Sequence, residues 1–176
     1  LPEQIFSIID EIKNAHPMDV LRTAVSALAS FDEDRENDTI EGTIRKGIRL
    51  TSQIPTIVMA HHNIRNGKPP VKPNQNLNHA GNFLYMLNGK IPSQQTINLM
   101  DKDFILHADH GSNASAFTAR VVAGTNADLH GAITAGIAAL SGPSHGGAAE
   151  NVMQMAKEIE SPEKAEGYVN TLLANR

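Results

Sequence analysis

Four of the eight histidines, His107, His110, His130 and His145, fall within one stretch from Leu106 to Gly147, LHADHGSNASAFTARVVAGTNADLHGAITAGIAALSGPSHGG. Its ends are polar and its middle is not. At one end HADHGSNAS (His107–Ser115) gathers two imidazoles, a carboxylate, an amide and hydroxyls within one or two helical turns; at the other, GPSHGG (Gly142–Gly147) holds His145 among glycines. The run between them is rich in alanine and glycine and almost free of charge. Small side chains of that kind let helices approach closely, so this stretch predicts a tightly packed helical connection that holds two polar clusters at a fixed separation.

The rest of the chain reads as helix. Ile5, Ile8, Ile9 and Ile12 form a helical stripe, and Pro2 is tolerated in a first turn. His16-Pro17 breaks it, and Val20, Leu21, Val25 and Leu28 resume the period. FDEDREND (Phe31–Asp38) is expected to be a solvated charged loop. Thr39 to Asn66 reads as a long helix interrupted at Ile54-Pro55, because proline lacks the N–H and biases the preceding residue away from helix. GKPPVKPNQN is a surface loop, and Leu77 to Leu87 a helix that buries Phe83, Leu84 and Met86. Ser93 can cap a helix running to His110. Further helices follow at Asn113–Val122, Asp128–Leu140 and Ser144–Ile159, and Ser161-Pro162-Glu163 signals a last start. No Asn-Gly lies between alternating apolar runs, so no hairpin is expected. The fold class is all-α, with eight or nine helices.

Several functions are excluded by what is missing. Without cysteine there is no disulfide, thiolate nucleophile or cysteine-held metal; a reducing compartment, the cytoplasm, is the expected location. A net charge of -4 with mixed signs provides no basic stripe for nucleic acid. No apolar run nears the roughly 20 residues that span a bilayer. The amino terminus, LPEQIFSIIDEIKN, lacks the basic-then-apolar order of a signal peptide. A metal is not expected either: on a helix His107 and His110 share a face while Asp109 points away, leaving the third ligand to His145 or beyond.

The two clusters suit an anionic, carbonyl-bearing substrate. Histidine and Asn113 can donate hydrogen bonds to carboxylate or carbonyl oxygen. Gly142–Gly146 formally matches the G-x-S-x-G nucleophile elbow, but that motif needs a preceding strand, and here alanine-rich helix precedes it. Ser144 is therefore not expected to be a nucleophile. His145 is the better candidate. A helix starting beside it would set its positive end near the imidazole, and a neutral ring donating to a carbonyl oxygen stabilises an enolate.

These two clusters, in this order, resemble the citrate synthase family, whose middle region reads roughly L-H-A-D-H-x-x-N-A-S followed by G-P-x-H-G-G-A, here Leu106–Ser115 and Gly142–Ala148. HPMDVLRTAVSAL (His16–Leu28), IRLTSQIPTIV (Ile48–Val58) and NLNHAGNFLYMLNGKIPS (Asn76–Ser93) are similar to that family as well. The resemblance implies an almost purely helical, homodimeric enzyme that condenses acetyl-CoA with oxaloacetate to give citrate and CoA, with no cofactor beyond the thioester substrate. Residues 1–143 would belong to its large domain and 144–176 to the start of a small one. By the match His145 polarises the thioester carbonyl and His110 binds oxaloacetate, with Asn113 beside it and Ser115 and His107 in support. Two departures stand out. The family's G-F-G-H-R-x-Y motif and its aspartate base are absent, and Ala149 replaces a frequent asparagine. The chain is therefore expected to be an internal fragment, inactive alone. The alternatives are a 2-methylcitrate synthase using propionyl-CoA, or a non-catalytic helical module for dicarboxylate binding or dimerisation.

Overall fold

A computed structural model describes residues 1–109 and 111–175. Among them there are nine α-helices and no strand: α1 (Glu3–Glu11), α2 (Pro17–Leu28), α3 (Ile40–Arg65), α4 (His79–Asn88), α5 (Gln94–His107), α6 (Ala114–Ala123), α7 (Leu129–Leu140), α8 (Gly146–Ile159) and α9 (Pro162–Ala174), with a 3₁₀ turn at Ala29–Phe31. The all-α expectation is correct. None of the helices is long and apolar enough to cross a membrane among the described residues.

The chain divides into two compact units, Leu1–Ala139 and the described residues of Leu140–Arg176. The first is built on α3. The stripes of α1 (Ile5, Ile9) and α2 (Val20, Ala24, Val25, Leu28) close on Leu50, Ile57 and Ala60 of α3 and on Ile137 of α7. Each large aliphatic side chain removed from water there contributes about 1.5–3 kcal/mol. On another part of α3 lies α4, which in turn carries α5. Met86 is buried, whereas Phe83 and Leu84 are only half-buried, because Phe83 spends its ring edge-on against Phe104 of α5 at 5.3 Å.

Two expectations fail here. Helix α3 runs straight through Pro55. The ring removes the N–H that would reach the Thr51 carbonyl. Leu50 before it and Ile57 and Ala60 after it are buried in one core, and that packing holds the helix through the gap.

The second expectation fails in part: in the charged loop at Phe31–Asp38, Glu33, Arg35, Glu36 and Asp38 are exposed as expected, while Asp32 and Asp34 are tied to α3. Arg49 of α3 grips Asp32 through Nη2 (2.5 Å) and Nε (3.3 Å) and also reaches Asp34 at 2.9 Å. Arg45, one turn earlier, holds Asp34 through Nη2 at 2.6 Å and Nε at 3.0 Å. Between them on the helix, the side chain of Lys46 is 1% exposed and donates to the Arg35 carbonyl at 3.2 Å. The Arg45 and Arg49 hydrogen bonds hold the Asp34 carboxyl far below the usual range. Burial pulls Asp32 upward, but its bonds to Arg49 and to the Asp34 N–H outweigh that and leave it lowered.

In the second unit, α8 and α9 bury no residue. Polar pairs join them: Tyr168 Oη donates to Glu158 Oε2 at 2.6 Å, and Lys164 Nζ to Glu160 Oε2 at 2.7 Å. Pro162 opens α9 and Glu163 lies in its first turn, as expected. Ser161 stands at the cap position without a capping bond from its hydroxyl.

Candidate active site

The first cluster is built by the end of α5 and the start of α6. Helix α5 is capped by Ser93, whose Oγ accepts from the Thr96 N–H at 3.2 Å. That helix ends at His107, which is exposed, with its Nδ1 2.8 Å from the Asp103 carbonyl. A carbonyl only accepts, so Nδ1 carries the proton there and Nε2 of the neutral ring is an acceptor. Asp109 Oδ1 accepts from the Gly111 N–H at 2.9 Å. Gly111 has φ +60°, a conformation that costs glycine nothing. His110, the expected oxaloacetate ligand, lies outside the described residues.

Asn113 is the N-cap of α6. Its Oδ1 accepts from the Ala116 N–H at 2.8 Å and from the Ser115 hydroxyl at 2.7 Å. The structure thus joins Asn113 and Ser115 in one polar turn. It commits the carbonyl end of the amide to that turn, and the NH₂ end is the donor free of the capping task. This capping role was missed, although an asparagine directly before an apolar helix is its usual signal.

The second cluster lies in the other unit. His145 is the N-cap of α8, half-buried, with φ -130° and ψ -105°. Its side chain makes no capping bond, so the imidazole stands beside the helix start without closing it. The loop before it is tied through one atom: the Gly142 carbonyl accepts from the His145 N–H at 3.0 Å and the Gly147 N–H at 3.1 Å. A methyl group on Gly146 would collide with the Leu140 carbonyl, and one on Gly147 would sit 3.1 Å from the Gly142 carbonyl. The glycines after the histidine are there because α8 folds back onto its own lead-in. Helix, not strand, precedes this loop, which removes the nucleophile-elbow context from Ser144. Among the described residues no three His, Asp or Glu side chains gather where a metal ion could sit.

Asn113 caps one helix start in the first unit, and His145 stands at a helix start in the second. The family described as "Citrate synthase, C-terminal domain" matches residues 1–176. Citrate synthase 2 of Bacillus subtilis is 46% identical over 94% of this chain and 44% of its own length. The 2-methylcitrate synthase of Mycobacterium tuberculosis is 41% identical over 93% of this chain and 41% of its own length. Among solved structures, citrate synthase from Pyrobaculum aerophilum superposes with a TM-score of 0.86 at 38% identity, covering 93% of this chain and 43% of that one. The chain belongs to the citrate synthase family. It spans less than half the length of the relatives it matches.

Proposed function

We propose that the protein carrying this chain condenses an acyl-CoA with oxaloacetate, and that His145 is the group that polarises the thioester. A base removes a proton from the methyl group, and the imidazole N–H of His145 donates to the carbonyl oxygen as the enolate forms. The enolate carbon attacks the ketone carbon of oxaloacetate, whose oxygen takes up a proton. Water then cleaves the thioester to give citrate and CoA. Oxaloacetate is held by His110 and the Asn113 amide, with His107 and Ser115 in support. The base is not assigned to any residue of this chain. The segment alone is inactive on this reading, and the whole protein works as a homodimer with no cofactor beyond its thioester substrate.

The observation that carries this reading is the placement of His145 at the start of α8, in a loop that glycines alone can close. A donor fixed beside a helix N-terminus is arranged for oxygen that gains negative charge. A relative from Thermoplasma acidophilum, similar over 99% of this chain with a TM-score of 0.85 and 28% identity, is a ternary complex with carboxymethyl coenzyme A and oxaloacetate, which supports the substrate pair.

Propionyl-CoA is the second reading, favoured by the 41% identity to a 2-methylcitrate synthase. Thiol release by the whole protein from acetyl-CoA or propionyl-CoA with oxaloacetate tests both, and the ratio of kcat/KM values names the acyl group. His145→Ala is expected to lower kcat by about 10²–10³-fold, the usual loss when one oxyanion donor is removed. No thiol release with either thioester would leave the dicarboxylate-binding module as the better description.

A further inference from the structure

We infer that Gly136, in the middle of α7, is a positioning residue for the keto-acid half of the site, which rests on the reading of Asn113 and Ser115 as substrate ligands. Gly136 is buried, and a Cβ added there would lie 3.3 Å from the Ser115 carbonyl oxygen and 3.6 Å from the Ala119 Cβ. The backbone of α7 therefore rests directly on the backbone of α6. The point of rest is the first turn of α6. There the Ser115 carbonyl lies on the helical bond ladder while the Ser115 hydroxyl donates to Asn113 Oδ1 at 2.7 Å.

The Asn113 amide cannot move independently of that turn. Its Oδ1 is fixed by the Ala116 N–H and the Ser115 hydroxyl, so the direction of its NH₂ follows the tilt of the first turn. Helix α7 is itself anchored on both sides of the contact. Asp128 Oδ1 accepts from the Gly131 N–H at 3.0 Å at its start, and Ile137 is buried in the core next to Gly136. A methyl group at residue 136 thus meets an anchored helix behind it and the capped turn in front. A contact of 3.3 Å is closer than a Cβ and a carbonyl oxygen normally come, so the turn yields by a few tenths of an ångström. The other glycine of α7 lacks this property. A Cβ on Gly131 would meet only the Asp128 carboxylate at an ordinary 3.6 Å.

The test uses the whole protein, comparing wild type with Gly136→Ala, Gly136→Val and Gly131→Ala. KM for oxaloacetate, KM for the acyl-CoA, kcat and thermal unfolding are measured for each. Gly136→Ala is expected to raise KM for oxaloacetate about fivefold, below the roughly 10²-fold cost of a full ångström of misplacement. KM for the thioester should stay within about twofold and Tm within a few degrees, since alanine also favours helix over glycine. Gly136→Val should extend the same trend, and Gly131→Ala should leave both KM values unchanged. An unchanged oxaloacetate KM in both residue-136 variants, or equal rises for both substrates, overturns the assignment. A wild-type protein that neither turns over nor binds oxaloacetate by calorimetry instead overturns the functional reading beneath it.

Discussion

His130 shows how far a single side chain can depart from its sequence context. It is fully buried, and neither ring nitrogen has a hydrogen-bond partner among the described residues. Nε2 stands 3.4 Å from Asp32 Oδ2 and Nδ1 stands 3.9 Å from Asp128 Oδ1, while Lys46 and Arg49 of α3 add positive charge nearby. Burial lowers its pKa, and the two carboxylates recover only part of the loss. The folded chain therefore resists a proton that the unfolded chain accepts near the ordinary value of about 6.5. The resulting stability is complete above that pH and is lost as pH falls through it toward the lowered folded value. Thermal unfolding at pH about 7.5 and 5.5 should show a decline that His130→Gln flattens. Equal slopes in the two proteins would remove His130 from the account. Sequence could not reveal this site. Its partner Asp32 sits in a run that reads as solvated, and nothing local tells which acids meet the arginines at 45 and 49.

At the scale of elements the sequence was far more legible, because helix starts are written in adjacent residues. Apolar spacing located α1 and α2, and Ser93 capped α5 as read. Pro55 misled because the local rule is right and is overridden by burial on both sides, which no window of sequence displays. Asn113 belongs to this scale as well, since it serves its helix and, by proposal, a substrate. The two tasks use different ends of the amide, so substitutions can separate them. Asn113→Asp keeps an oxygen for the Ala116 N–H and adds a charge that suits a helix N-terminus, by about 0.3–1 kcal/mol. It loses the NH₂ donor and sets a carboxylate against a dicarboxylate. Urea unfolding should therefore show stability unchanged or slightly raised, while KM for oxaloacetate rises about tenfold, the equivalent of one lost hydrogen bond at about 1.4 kcal/mol. Asn113→Ala should lose about 1 kcal/mol of stability as well. If the aspartate variant kept its KM, Asn113 would be a cap and nothing more.

For the whole molecule the decisive contrast is between a unit with a core and a unit without one. The first unit encloses Ile5, Ile9, Val20, Val25, Leu28, Leu50 and Ile57 almost completely. In the second, α8 and α9 bury no residue, and Val152, Met153, Leu172 and Leu173 are exposed. Met155 and Ile159 of α8 and Ala165 and Tyr168 of α9 are only half-buried, and exposed pairs such as Lys164–Glu160 contribute little. Local opening free energy follows buried apolar contact, so the two units of this chain should exchange amide hydrogens at very different rates. In the 176-residue chain, amides of α3 flanking Leu50 and Ile57 should be protected to the level of global unfolding. Amides of α8 and α9 should exchange orders of magnitude faster, near the rate of fraying ends. The consequence reaches the chemistry, because His145 is placed by the first turn of α8. On the function proposed above, a helix that opens readily presents its histidine only part of the time, and the acyl-CoA affinity scales with the fraction closed. Mass-resolved exchange of the chain decides the matter. Comparable protection in α3 and α8 would mean that the polar pairs and the closed glycine loop hold the second unit far better than its lack of a core implies.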